Sequence, residues 1–410
     1  MEATSALQRA VLLTPKGHAV LRARLDNLAI SFARRFEYTG NLPDISEAIS
    51  LQRRALKLAP GADVDIPAHL NNLGSSFQCR FGRTGDHSDI LEAISFHEQS
   101  VQLTFNGHID MPGRLTNLAT ALMHRFELTG DLTDISKAIS AQQRAVLLTH
   151  DDDRILPVLL NDLGVSFWLR FHRTGNLTDI TEAISLQQRA IEHSPSGYAR
   201  RQNFLTNLGN SLRSRFQHSG NISNIDEAIS VQRLAAQLMP NDHIEMPKIL
   251  NNLGISLQSR FKRAGNLLDN SEAISVMQRA IKLIPDGHAD RPRLLTNLGT
   301  SLWSRFEHGG DLSDNSEAIY LHRQAVKLTP HSHAEMAGRL HNLGCALSSR
   351  SERTGDLRDI SEAISALRRA VRLAPGAPCR YAYMAKRAWS FISASFPTHT
   401  TYLTYLRPSL

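Results

Sequence analysis

The sequence is poor in cysteine and in aromatic residues, and it has no long hydrophobic run. Its 410 residues include three cysteines, which lie far apart and show no CxxC or Cys/His spacing. This usage argues against a disulfide framework and a structural zinc site. No stretch approaches the roughly 18 apolar residues of a membrane helix, and the first residues lack the basic region of a secretory signal. These absences predict a cytoplasmic protein with reduced thiols and no membrane contact.

Acidic and basic residues are nearly balanced over most of the chain. There are 46 basic and 39 acidic residues, a net charge of +7, and four of the basic but none of the acidic residues follow Pro375. Residues 1–375 therefore carry +3 and the last 35 residues carry +4. A nucleic-acid footprint is a stripe of like charge on one face, so the balanced body predicts no nucleic-acid partner.

Known catalytic motifs are also missing. The chain contains no GxSxG, no HExxH, no Walker A sequence and no dinucleotide-binding GxGxxG. We therefore predict a protein that is not an enzyme and that holds no cofactor or metal.

What the sequence does contain is an internal repeat of 45 residues. The tetrad Asp26-Asn-Leu-Ala29 occurs in eight copies without insertion or deletion, as in Asn71-Asn-Leu-Gly74 and Thr296-Asn-Leu-Gly299. A second block, Glu47-Ala-Ile-Ser50, keeps the same step, with Glu317-Ala-Ile-Tyr320 as one of its variants. Such regularity is typical of a solenoid, in which each unit packs only on its neighbours.

Each repeat is predicted to form two helices. In the seventh, the first helix covers about 290–306, with a leucine stripe of helical period, and Gly310 is its C-cap. The second helix is predicted to open with a capping box between Asp314 and Glu317 and to end before Pro330.

The repeat resembles a tetratricopeptide (TPR) unit. Leu298-Gly299 is followed by Ala318, Ala325 and Pro330, with the family's steps of seven and five. The period of 45 departs from the family's 34. This longer repeat resembles the TPR arrays of mushroom-forming fungi, which often accompany CHAT protease domains, and it also resembles kinesin light chain. The resemblance implies an all-α, right-handed superhelical solenoid of antiparallel helix pairs. A HEAT or armadillo array, of period about 40–47, is the rival fold.

The resemblance divides the chain into two parts. Residues 1–375 are expected to form the array, with a partial first unit at 1–15, and residues 376–410 a basic, aromatic tail with a capping helix over about 380–395. A poorly ordered tail is the alternative.

Three repeating polar positions are candidates for function. The resemblance places the asparagine before the packed leucine in the concave groove, where its carboxamide would pair with a peptide backbone; the alternative is a structural bond between units. A repeating arginine, from Arg35 to Arg350, is expected to form an ion pair within or between units. Histidines before the first helices, such as His108, are expected to be loop and cap residues. The predicted groove residues are Asn27, Asn72, Asn117, Asn207, Asn252, Asn297 and Asn342, with Trp168 and Trp303 as anchors.

The sequence thus favours a non-catalytic scaffold that binds an extended peptide or a partner helix along this groove. Two other hypotheses stay open. The chain could be the sensor or regulatory fragment of a larger effector of the CHAT-protease type, or a helical-repeat RNA binder.

Overall fold

The computed structural model describes residues 2–18, 20–58, 65–195, 197–198 and 200–373, and this part of the chain is all helical. The chain divides into two compact units, Met1–Ser211 and Leu212–Leu410. The predicted C-terminal cap lies outside the described residues.

The first unit consists of α1, four helix pairs and the beginning of α10, within which the unit boundary falls. Its helices are α1 (Glu2–Leu12), α2 (Leu21–Thr39), α3 (Leu42–Lys57), α4 (Ile66–Thr84), α5 (His87–Leu103), α6 (Met111–Thr129), α7 (Leu132–Leu147), α8 (Leu156–Thr174), α9 (Leu177–Glu192) and α10 (Arg201–Ser219).

The second unit continues the same alternation of first and second helices. Its helices are α11 (Ile222–Leu238), α12 (Met246–Ala264), α13 (Leu267–Lys282), α14 (Arg291–Gly309), α15 (Leu312–Lys327), α16 (Met336–Thr354) and α17 (Leu357–Leu373). The first helices, α2 to α16, begin every 45 residues, so the predicted eight helix pairs are confirmed over the described residues.

Each first helix is amphipathic and ends at a glycine. In α14, Leu294, Leu298 and Phe306 are buried, as the stripe predicts. Gly310 then adopts φ 75°, a left-handed conformation in which a side chain is unfavourable, and its N–H donates to the Phe306 carbonyl at 2.7 Å. The glycine C-cap is therefore confirmed.

The second helix packs closely on the first because the facing residue of the first helix is small. A Cβ added to Gly299 would lie 2.9 Å from Cε1 of His322 on α15, and one on Gly74 would lie 2.8 Å from Cε1 of His97 on α5. These distances are shorter than van der Waals contact, so the small residue of the Leu-Gly pair sets the spacing of the two helices.

The predicted capping box at Asp314 is wrong, because the second helix begins three residues earlier than that motif requires. The N-cap of α15 is Asp311, whose side chain accepts from the Ser313 N–H at 2.9 Å. Asp314 lies in the first turn and bonds an arginine of the preceding helix instead.

That arginine belongs to the repeating set, and the predicted ion pair is confirmed. Arg305 donates from Nε and Nη2 to the two oxygens of Asp314 at 2.7 and 2.6 Å. The carboxylate is almost fully buried and the guanidinium about one-third exposed. In Arg35–Asp44 the same bonds lower the pKa of the carboxyl below its ordinary value. The pair joins the first helix of each repeat to the second, and in the fifth repeat Arg215 bonds Asn224 in place of the aspartate.

Candidate peptide-binding face

The predicted groove asparagines lie one on each first helix, except in the fourth repeat, where Asp162 takes the position. Their exposure differs from repeat to repeat. Asn27 and Asn72 are exposed, Asn252 is buried, and the remaining ones are intermediate, namely Asn117, Asn207, Asn297 and Asn342. In both units, first helices of neighbouring pairs also contact one another, as α4 does with α6 and α12 with α14.

Three of these asparagines bond to another first helix. In each case Nδ2 donates to Oδ1 of an asparagine 46 residues earlier, at 2.8 to 3.0 Å. The pairs are Asn117–Asn71, Asn207–Asn161 and Asn297–Asn251. This is the bond between repeats that the sequence left open as the structural alternative, and it occupies one of the two N–H donors of each amide.

These asparagine–asparagine bonds form at every second repeat because the residue before the groove position alternates. The residue before the groove asparagine is asparagine in the second, fourth and sixth repeats and threonine in the third, fifth and seventh. The threonine hydroxyl bonds its own helix, as Thr116 does to the Pro112 carbonyl at 2.8 Å. The asparagine side chain accepts from the following repeat. From the second repeat to the seventh this face therefore has a period of two repeats, and the alternation of asparagine with threonine before the groove position was the sequence signal for it.

A recess of about 790 Å³ opens in the first unit beside two of the predicted residues. Asn72 of α4 and Asn117 of α6 line it, together with the loops that follow α5 and α7. One helical turn before each asparagine stands a small residue, Ala68 and Gly113, and a Cβ built on Gly113 meets nothing within 4 Å. The small size of these two residues leaves the space open.

Two of the three equivalent positions in the second unit carry long side chains, and the third is Gly338. Lys248 takes the place of Ala68 and reaches Glu245 at 3.4 Å, and Arg293 takes the place of Gly113 and bonds Asp290 at 3.0 Å. Small residues thus stand four positions before both asparagines that line this recess, and the same pattern also occurs at Ala23, four positions before Asn27.

The charged groups of the recess are largely paired with one another. Arg114 is buried and donates to Asp110 at 3.2 Å and to the Thr104 hydroxyl. His108 accepts the Asp110 N–H on Nδ1 at 3.1 Å, which agrees with its predicted role as a loop and cap residue. The asparagine amides are therefore the groups best placed to donate to and accept from a bound main chain.

The two tryptophans are half-buried. Trp168 lies edge-on to His172, with ring centroids 4.3 Å apart. Trp303 donates from Nε1 to the Ser349 hydroxyl at 3.1 Å and packs against two apolar clusters of the second unit. Their role as ligand anchors stays a prediction.

Within the described ranges, no group of three or more His, Cys, Asp or Glu side chains is arranged to hold a metal ion. No helix formed by the same residues has the length and apolar character needed to span a membrane.

No family model and no curated protein matches the sequence. Among solved structures, the fold is similar to the apo form of the quorum sensor NprR from B. thuringiensis, at 13% identity over 89% of this chain and 92% of that one, with a TM-score of 0.53. A putative kinesin light chain from Podosopora anserina with nearly identical TPR-like repeats has 14% identity over 53% of this chain and 95% of that one, with a TM-score of 0.40. YrrB, described as a TPR protein with an unusual peptide-binding site, has 15% identity over 62% of this chain and 99% of that one, with a TM-score of 0.37. The chain thus has a TPR-type fold, as its repeat predicted.

Proposed function

We propose that this protein is a non-catalytic protein-interaction scaffold that binds an extended peptide along the face of its first helices. Proteins of TPR type generally serve as interaction scaffolds. The observation that carries the proposal is the recess beside Asn72 and Asn117, where unfilled volume and amide groups occur together.

The size and chemistry of the recess fit a short stretch of peptide. Its volume falls in the range of about 300–1,000 Å³ typical of ligand sites. Among the described residues Asn72 makes no bond to another groove asparagine, and Asn117 keeps its Oδ1 and one N–H after bonding Asn71. A carboxamide both donates and accepts, so such side chains can pair with main-chain amides of many sequences.

The proposal can be tested with a substitution that fills the recess and leaves the helix intact. Gly113→Arg copies the arginine found at the equivalent position 293, and a Cβ added at Gly113 meets nothing within 4 Å. The matched control is Gly338→Arg, the same change at the equivalent position of the eighth repeat, where a Cβ also meets nothing within 4 Å.

The probe is a phage-displayed library of random 12-residue peptides selected on the wild-type protein. Selected peptides should bind Gly113→Arg at least tenfold more weakly in calorimetric titrations, and Gly338→Arg as the wild type. Asn72→Ala should weaken binding by about 2- to 10-fold, the loss of one neutral hydrogen bond. Enrichment of no peptide, or equal binding by wild type and Gly113→Arg with unchanged melting, would remove the recess as the binding site.

A further inference from the structure

A tyrosine breaks the repeat on the second helices of the second unit. The residue after Glu-Ala-Ile or its variant is serine in seven repeats and Tyr320 in the remaining one. Its side chain is 59% exposed, so the change does not serve the core of the pair. Exposed tyrosine in contact with an apolar recess is typical of binding hot spots.

Tyr320 stands at the edge of such a recess. The space, of about 390 Å³, lies between α13 and α15. Leu295 and Leu298 of α14 and Ile281 and Leu321 of the flanking second helices also line it. The recess differs from the amide-rich one of the first unit because its walls are chiefly aliphatic.

The charged residues at this recess are all basic. Lys282 and Arg291 line it, and none of its lining residues is acidic. Arg291 bonds Asp286 at 2.9 Å, while Lys282 is exposed and makes no ion pair with any described residue. A ligand that fills the recess therefore meets an aliphatic floor and an excess of positive charge.

A second recess of about 290 Å³ repeats the arrangement one helix pair further on. It lies between α15 and α17 over Leu340 and Leu343, and Lys327 takes the place of Lys282. Its one acidic lining residue, Glu362, is bonded by Arg323 at 2.6 Å. The two recesses therefore present the same chemistry one helix pair apart.

We propose that these two recesses, with Tyr320 at the edge of the first, dock an acidic amphipathic helix of a partner protein. Residues i, i+4 and i+7 of a helix lie on one face, so the apolar side chains of one such helix enter both recesses. Glutamates or aspartates beside them meet Lys282 and Lys327. This surface is distinct from the first-helix recess of the proposed function.

The probes are three capped, fluorescent 20-residue helical peptides. The first carries leucine at i, i+4 and i+7 and glutamate at the exposed positions, the second replaces each glutamate by lysine, and the third replaces the i+7 leucine by serine. Fluorescence anisotropy should show binding of the first, at least tenfold weaker binding of the other two, and a loss of affinity with added salt.

Two variants locate the site, and two serve as controls. Tyr320→Ser restores the residue of the other seven repeats and should fold normally, and Lys282→Glu reverses the exposed charge; each should weaken binding of the acidic peptide at least tenfold. Lys57→Glu, the same change at the equivalent position of the first repeat, should leave binding unchanged, as should Gly113→Arg.

Several results would overturn the proposal. They are no binding of the acidic peptide up to millimolar concentration, equal binding by wild type and Tyr320→Ser, or equal binding of the acidic and basic peptides. Self-association in sedimentation that disappears in Tyr320→Ser would identify a second copy of the chain as the occupant instead.

Discussion

Two histidines are buried inside helix pairs and make stability depend on pH. His97 and His322 occupy equivalent positions on α5 and α15, each against the glycine of its first helix. Both side chains are fully buried, and neither ring nitrogen has a hydrogen-bond partner among the described residues. Burial without a partner disfavours the charged imidazolium, so the pKa of each falls from 6.5 to about 4.

The lowered pKa values make the protein less stable at acidic pH. Because the folded pKa is lower than the unfolded one, the unfolded chain takes up protons first as the pH falls. Stability is therefore complete above pH 6.5 and declines between pH 6.5 and pH 4. With about 1.36 kcal/mol for each pKa unit, the loss is about 2 kcal/mol per histidine at pH 5 and about 3 kcal/mol at pH 4.

Replacement by glutamine isolates this contribution. Glutamine stands at the same position in four other repeats, at Gln52, Gln142, Gln187 and Gln232. His97→Gln and His322→Gln should therefore fold, and at pH 7 their free energies of unfolding should be close to wild type. At pH 5 each should exceed wild type by about 2 kcal/mol, measured by urea unfolding with amide hydrogen exchange of α5 and α15.

The carboxylates titrate in wild type and variants alike, so the difference between them reports the histidines. His87 is exposed, and His87→Gln should keep the wild-type pH dependence. If the double variant lost stability between pH 7 and pH 5 as steeply as wild type, the two buried rings could not be the groups responsible.

Two further substitutions probe the packing of a helix pair. Gly299→Val should lower the free energy of unfolding by about 1–3 kcal/mol, because the larger side chain overpacks against His322. Gly338→Val, at an open position, should not lower it. Equal urea midpoints for the two variants would contradict the close contact between Gly299 and His322. Asp134→Ala should lower the free energy of unfolding by about 2–4 kcal/mol, because it leaves Arg125 without its carboxylate. Asp134→Asn should lower it less, because Asn224 already accepts a hydrogen bond from Arg215 in the fifth repeat. Equal stability of the two variants in thermal and urea unfolding would contradict a contribution from the ion pair.

The helices could be predicted from the sequence because their signals are local and repeated eight times. The leucine stripe, the left-handed glycine and the proline after the second helix each act within one or two turns. The Leu-Gly pair and the alanine spacing then identified a TPR-type fold, which a single copy of the motif would have indicated only weakly.

The start of the second helix was misplaced because two residues in the same loop can cap it. Asp311 and Asp314 are both followed by helix-forming residues, and the glutamate three positions after Asp314 imitates a capping box. Arg305 decides between them, since its guanidinium takes Asp314 into a bidentate pair. That choice depends on a residue of another helix, which a local sequence pattern does not include.

The alternation along the asparagine face was missed for a related reason. At a step of 45 residues the copies share the groove asparagine itself, so Asn207 and Asn252 look like equivalent residues of one row. The bonds that Asn161 and Asn251 accept depend on the residue before the shared one, which differs between odd and even repeats.

The same reasoning indicates where binding specificity should be sought in a repeat protein. A residue present in every copy, such as the arginine of the ion pair, serves packing that each copy needs. A departure confined to one or two copies has no such role to serve. Tyr320 adds an exposed ring where the other seven repeats place serine. Restoring that serine should leave the fold intact, so any loss of binding by Tyr320→Ser can be attributed to the surface itself.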